Sequence, residues 1–203
     1  MYLTKLDLEQ ANRRIQVSLA DCQQFHRLVM GLFETDRKSS RVLYRLRMQD
    51  RALALYLYSD CPINQARLLP GMRFSGEREL SGWLAHMDAG QIRRFDLMAA
   101  PTKKVAVEAG RNSRRQTLRT QEERLAWLCR KGEQNGFQII SCQELECHQQ
   151  RGYHKEASIG RMYITGYHYQ GILRITDSAR FCRAVQEGIG AGKAYGLGML
   201  LLR

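Results

Sequence analysis

Gly188-Ile-Gly190-Ala-Gly192-Lys193-Ala-Tyr195-Gly196-Leu-Gly198-Met-Leu-Leu-Leu-Arg203 places five glycines and one lysine between an apparent helix and an apolar terminal strand. Glycine tolerates positive φ and close backbone approach, and a run of such residues can turn several N–H groups toward a phosphate. Two familiar phosphate motifs fail here on spacing. A P-loop needs G-x-x-x-x-G-K-[S/T] after a strand, but Glu187 stands at its first glycine and Ala194 at its hydroxyl residue. A dinucleotide fingerprint needs G-x-G-x-x-G between strand and helix. Here Lys193 or Tyr195 occupies the third glycine, and the loop runs from helix into strand. Capping explains one glycine, since Gly is the usual residue just past a helix end. It does not explain five in eleven positions, so Gly190, Gly192 and Lys193 stand as candidate phosphate contacts.

Working back from this tail, an αβ-type order emerges. Residues 178–187 read as the preceding helix and 197–202 as the last strand. Residues 92–99 (IRRFDLMA), 137–142 and 171–176 read as strands. Residues 121–134 read as a helix with a Thr120/Glu123 capping box and Gly136 past its end. A basic, polar loop is expected over 102–119, and a protruding hairpin insertion over 147–169. The N-terminal part shows the same plan. Residues 2–8 alternate as a strand, and Asp21 caps a helix over 21–33, with Gln24 as capping-box partner. Cys22, Phe25, Val29, Leu32 and Phe33 form its buried face. Strands at 41–48 and 52–58 follow, turning near Asp50, and Pro62 and Pro70 bracket an abbreviated helix. The pattern β-α-β-β-α-β, met twice, predicts an α+β chain of tandem ferredoxin-like (RRM-like) domains. The expected domains are 1–90 and 91–203, the second carrying the hairpin 147–169 and the Gly-rich loop 188–198. No low-complexity linker separates them, so direct packing is expected.

The 203 residues carry 32 Lys+Arg against 20 Asp+Glu, a formal charge of +12. Six basic residues and one acid lie between Lys103 and Arg119. Such a surplus is the footprint of a polyanion binder; the competing reading is a basic surface without a specific partner. No apolar run has the length of a membrane span and no signal-peptide pattern opens the chain. The six cysteines, without C-x-x-C pairs, then read as reduced thiols of a cytoplasmic protein. Cys142, Cys147 and His148 lack a fourth ligand at zinc spacing, so neither a metal site nor a cofactor is expected.

His26 lies at the margin of the apolar stripe of the 21–33 helix. It reads either as a core histidine or as a half-exposed imidazole facing a cleft, able to move a proton near neutral pH. RNA chemistry suits such a group. A 2′-hydroxyl attacks its own adjacent phosphate if a base removes its proton and an acid serves the departing 5′-oxygen. Cations would stabilise the developing phosphorane charge. The insertion supplies Arg151, Tyr153, His154, Lys155, Arg161, Tyr163, Tyr167 and Tyr169. Basic residues among aromatics suit phosphate contact and base stacking. The alternative is a hairpin whose tyrosines fill its own underside. Arg124 and Lys131, seven apart, share one side of their helix, as on any solvated face.

Taken together, MYLTKL at the start, His-Arg-Leu at 26–28, FDLMAAPTKK at 95–104, ERLAWLCRK at 123–131 and GIGAGKAYGLGMLLL at 188–202 carry a resemblance. Over essentially its whole length the chain resembles the CasE family, the CRISPR-associated endoribonuclease of type I-E effector complexes (Cascade). The resemblance implies metal-independent cleavage of the repeat stem-loop at its 3′ base, leaving a 2′,3′-cyclic phosphate and a 5′-hydroxyl. It also implies retention of the product hairpin within Cascade. His26 takes the family's catalytic position. Arg130 and Lys131 match helix positions that approach the RNA stem, Pro101 and Lys103 remain of the 95–104 motif, and Lys104 and Arg124 are further candidate RNA contacts. Arg151, Lys155 and Arg161 fall in the hairpin that enters the groove near the cut. Two departures stand out. Many relatives have tyrosine three residues before the histidine, where this chain has Gln23. An amide does not titrate, so a second catalytic group has to come from Arg27, Lys155, Arg161 or a tyrosine of the insertion. Met98 and Ala100 replace an arginine and an asparagine common in the family. A non-catalytic RNA-hairpin-binding subunit of the same assembly is the alternative reading, and general DNA binding a third.

Overall fold

The computed structural model describes residues 1–35, 37–49, 52–105, 114–153 and 161–202. Its elements run β1 (Tyr2–Leu8), α1 (Arg13–Leu19), α2 (Cys22–Met30), α3 (Arg37–Ser40), β2 (Leu43–Gln49), β3 (Ala52–Ser59), β4 (Met72–Glu79) and α4 (Ser81–Leu84). They continue with β5 (Ile92–Ala99), β6 (Thr102–Val105), β7 (Arg114–Thr117), α5 (Gln121–Gln134), β8 (Phe137–Tyr153), β9 (Arg161–Ile175), α6 (Ser178–Glu187) and β10 (Leu200–Leu202). The strands form two four-stranded antiparallel sheets, ordered β2-β3-β1-β4 and β10-β5-β9-β8. In both, the first strand of the unit lies between its third and fourth. That is the ferredoxin-like order, obtained twice.

Helix α2 forms because Cys22, Phe25, Leu28 and Val29 recur at helical spacing and bury one face. Its first N–H groups are met by Asp21, whose carboxylate accepts from Gln23 at 2.8 Å and Gln24 at 3.1 Å. Asp21 serves both donors itself and Gln24 is exposed, so the expected reciprocal capping box does not form. Phe25 packs on Tyr44 of β2 with ring centroids 5.6 Å apart. Burying each such side chain contributes roughly 1.5–3 kcal/mol. Helix α5 runs over its expected residues, and there the Thr120/Glu123 box does form.

The structure corrects the sequence reading in several places. Helix α1 was not anticipated: of its seven residues only Ile15 and Ser18 are buried, too few to give a period. Strand β4 was missed for a similar reason, since it is polar, interrupted by Gly76 and needs only β1 as a partner. The bracketed helix between Pro62 and Pro70 is a single 3₁₀ turn, Gln65–Arg67. Within the basic stretch 102–119, β6 and β7 pair as a short hairpin. The presumed insertion at 147–169 is instead the far half of one long β8–β9 hairpin, paired from Phe137↔Ile175 to Tyr153↔Arg161. Its polar sequence (QELECHQQ) conceals the strand because most of β8 is exposed. Asp50, His154 and Lys155 lie outside the described residues.

The two sheets pack directly. One core cluster joins Leu43 and Tyr58 of the first with Phe95, Leu97, Tyr169 and Phe181 of the second unit. A buried ion pair crosses the same boundary: Arg45 of β2 meets Asp96 of β5 at 2.8 Å, the side chains 3% and 2% exposed. Among the described residues no helix is long and apolar enough to cross a membrane.

Candidate active site

The two ends of the chain meet at the start of α2. The Gly-rich loop leaves α6 at Gly188, makes a 3₁₀ turn at Lys193–Tyr195 and enters β10. It is pinned from both units. The Tyr44 hydroxyl donates to the Ala194 carbonyl at 3.0 Å, and the Gly198 N–H donates to the Met98 carbonyl at 2.7 Å. This holds the Tyr195 hydroxyl 3.0 Å from the Gln23 side-chain oxygen, to which it donates. The Tyr195 ring lies edge-on to His26, centroids 6.1 Å apart. His26 is half-buried, so it is not sealed in the core.

Packing accounts for the glycines expected to cradle phosphate. A side chain at Gly190 would stand 3.0 Å from the Trp127 ring, at a φ of +83°. At Gly192 it would meet Leu197 at 2.8 Å. These positions let the loop lie against Trp127 of α5 and fold onto its own Leu197, and that fit fixes them as glycine. Lys193 sits in the 3₁₀ turn beside Tyr195, half-buried.

The hairpin is seated on the same end of α2. Gly152 faces Cys22 so closely that an added Cβ would lie 2.7 Å from its sulfur, 3.1 Å from the Met162 methyl and 3.5 Å from the Gln23 nitrogen. The opposite face carries Arg151, Tyr153, Arg161 and Tyr163, all exposed. Arg151 pairs across the strands with Tyr163, and Tyr153 with Arg161, so cations and aromatic rings alternate in a checkerboard. The tyrosines of this stretch divide into exposed and covered ones. Tyr153 and Tyr163 face outward, whereas Tyr169 is fully buried and Tyr167 lies under the Arg124 guanidinium at 4.0 Å.

Arg124 requires a correction. Its guanidinium makes a two-pronged bond to Glu144 at 2.5 and 2.8 Å and donates to the Arg119 carbonyl at 2.7 Å. With the residue only 8% exposed, this cation ties α5 to β8 rather than facing a ligand. Lys131, read as sharing its side, bonds Gln134 at 2.9 Å and stays half-exposed, and Arg130 is exposed. Lys104 is exposed on β6, while Lys103 lies 3.7 Å from Glu123. Arg27 lines a second, shallower depression on the exposed side of α2 with Arg13, Arg14 and Arg67. Lys155 lies outside the described residues, and Arg161 belongs to the outward hairpin face.

Between α2, the hairpin and the two sheets lies a cleft of about 720 Å³, bordered by Cys22, Phe25, Gln150, Arg151 and Tyr195. Its floor is an ionic network. Asp96 receives Arg45, a hydrogen bond with His168 at 3.1 Å and one from Gln170 at 2.9 Å, with Arg47 at 3.6 Å. Burial alone would raise the Asp96 carboxyl. The His168 hydrogen bond, the Arg45 charge and Gln170 outweigh it and hold the group at about 2. His148 pairs with Glu146 at 2.8 Å. Burial, reinforced by the Asp21 charge, pushes the Cys22 thiol up to about 11, so it remains protonated beside the site.

Sequence reasoning missed Tyr195, Gly152 and the Asp96 network. Each is defined by a neighbour more than 50 positions away, and no local pattern announces that. Tyr195 stands within the Gly-rich motif, outside the Arg27, Lys155, Arg161 and insertion-tyrosine set that the sequence offers for the second catalytic group.

Comparison with known proteins gives concordant matches. The family model described as "CRISPR associated protein" matches residues 1–203. The CRISPR-associated endoribonuclease Cse3 of Thermus thermophilus is 27% identical over 222 residues, covering 98% of both chains. A solved structure of CRISPR endoribonuclease Cse3 bound to 19 nt RNA superposes with a TM-score of 0.86 at 25% identity, covering 100% of each. A chain from a CRISPR RNA-guided surveillance complex in a pre-nicking state gives 0.76 at 22% identity, covering 100% of this chain and 99% of the other. At that identity the last match speaks for the fold.

Proposed function

The chain belongs to the CRISPR associated protein family, and from that premise we propose that it is an endoribonuclease processing CRISPR repeat RNA. It binds the repeat stem-loop, cuts at the 3′ base of the hairpin and keeps the product as a subunit of the type I-E surveillance complex in the cytoplasm. The similarity to Cse3 supports the activity. The observation that carries the reading is that His26, the Lys193–Tyr195 turn and the hairpin, seated through Gly152, all meet at α2. We take the unit boundary to lie at residues 90/91, just before β5.

The reaction is metal-independent transesterification. His26 removes the proton of the 2′-hydroxyl, whose oxygen attacks the adjacent phosphorus, leaving a 2′,3′-cyclic phosphate and a 5′-hydroxyl. Lys193 and Arg151 offset the charge that develops on the phosphate oxygens. An A-form stem hides its base edges in a deep, narrow groove, so shape and phosphate contacts dominate recognition. Arg151 and Arg161, with Lys104, Arg130 and Lys131, supply those contacts, while Tyr153 and Tyr163 offer stacking faces.

The decisive experiment incubates the purified chain with its own repeat RNA in excess EDTA. Wild type releases a hairpin product ending in a cyclic phosphate. His26→Ala slows cleavage by roughly 10²–10⁴-fold, the usual worth of general acid–base catalysis, and keeps hairpin affinity. A His26→Ala protein that cuts at wild-type speed would refute the assignment. Gln23, a group that does not titrate, favours a second reading as a non-catalytic hairpin-binding subunit; wild type binding the RNA without cutting it would establish that reading instead.

A further inference from the structure

We propose that Tyr195 is the second catalytic group, giving its phenolic proton to the departing 5′-oxygen while His26 takes the proton of the 2′-hydroxyl. This rests on the endoribonuclease reading above. Gln23 and His26 are three apart on α2 and therefore neighbours on one helix face. The Tyr195 hydroxyl is anchored to Gln23 at 3.0 Å, with its ring edge-on to the His26 imidazole. The phenol is thus held beside the base, on a loop that Tyr44 and Met98 fasten from the two sheets. Rotation about its C–O bond re-aims the hydrogen without moving the ring. The side chain also borders the cleft, so RNA has access to it.

Chemistry separates Tyr195 from the arginine candidates, and position separates it from Tyr153 and Tyr163, which lie on the hairpin face turned away from α2. Arginine does not release its proton in proteins, so Arg27 and Arg161 stabilise charge but do not serve as the acid. A phenol carries its proton at neutral pH and gives it to a nascent alkoxide, a far stronger base. The step balances. The 2′-O–H bond breaks with its proton passing to His26, and the 2′-O–P bond forms. The P–O5′ bond breaks with its electron pair on O5′, which takes the phenolic proton. The Tyr195 phenolate then recovers a proton from the histidinium through solvent, and both groups are restored.

The test is Tyr195→Phe, which keeps the ring and its packing. Single-turnover cleavage is measured on repeat RNA with the normal 5′-oxygen and on RNA with sulfur bridging at that position, a leaving group that needs no proton. On the oxygen substrate the variant is expected to be roughly 10²-fold slower with hairpin affinity preserved. On the sulfur substrate it cuts close to the wild-type rate, whereas His26→Ala stays slow on both. Wild-type speed of Tyr195→Phe on the oxygen substrate overturns the inference. An equal deficit on both substrates also overturns it, reducing Tyr195 to a positioning residue. A wild-type chain that leaves the RNA uncut overturns the functional reading and this inference with it; a wild type that cuts confines any failure to Tyr195.

Discussion

Removing the carboxylate of Asp96 tests how the two sheets are held at the angle that shapes the cleft. Asp96 is 2% exposed, and its partner Arg45, 2.8 Å away on the other sheet, is 3% exposed. Asp96→Ala leaves the Arg45 guanidinium in the interior without its counterion. Breaking a buried pair from one side costs about 3–5 kcal/mol, because desolvation of the remaining charge is no longer offset. For a chain of this size each kcal/mol moves the melting temperature by about 2–4 °C, so a fall of roughly 6–20 °C follows. Circular dichroism melts of wild type, Asp96→Ala, Arg45→Met and the Arg45→Met/Asp96→Leu double variant read this out. Replacing both charges by apolar groups of similar size is often neutral, so the double variant should recover most of the loss. A melt of Asp96→Ala unchanged from wild type, or a double variant showing the sum of the single losses, would refute the argument.

Four other outcomes follow from the structure. Gly152→Val suits a strand by propensity, yet it crowds Cys22; about 1–3 kcal/mol of overpacking strain should lift the hairpin and slow cleavage. Cys22→Ala in the same chain should restore both melting and rate, and faster alkylation of Cys22 in the single variant checks the opening. Arg124→Ala should lower stability by about 3–5 kcal/mol without changing the salt dependence of RNA affinity. Arg151→Ala should leave the melt intact and reduce the slope of log affinity against log salt by roughly 0.7–0.9. Because the folded-state value of Asp96 is depressed from 3.8 to about 2, its contribution is complete above pH 4 and lost as pH falls through 2. That amounts to roughly 2 kcal/mol, and stability measured between pH 4 and 2 should flatten in Asp96→Asn.

Much of this molecule was legible in the residues themselves. Local signals were reliable where they were self-contained. The helix over 121–134 carries its own capping box and ends at a glycine, and the 21–33 segment shows its buried stripe by spacing alone. The duplicated strand and helix order gave the ferredoxin-like plan because each unit must hide one apolar sheet face. The Gly-rich tail, His26 and the basic surplus were likewise plain in the chain. Segments whose stability comes from partners were hidden. β4 is polar and held by β1, and most of β8 is exposed and held by β9, so neither shows an apolar period.

Only the tertiary structure decided which residues share the site. It brought Tyr195 to Gln23 across 172 positions, seated Gly152 on Cys22, and withdrew Arg124 into a bond with Glu144. The physical reason is common to all three. A side chain's chemistry is set by the groups within a few ångströms of it, and in this fold those groups come from the far end of the chain or from the other sheet. Residue type and spacing determine which elements form and what chemistry they carry. Packing of those elements determines which cations remain exposed and which hydroxyl stands beside the histidine.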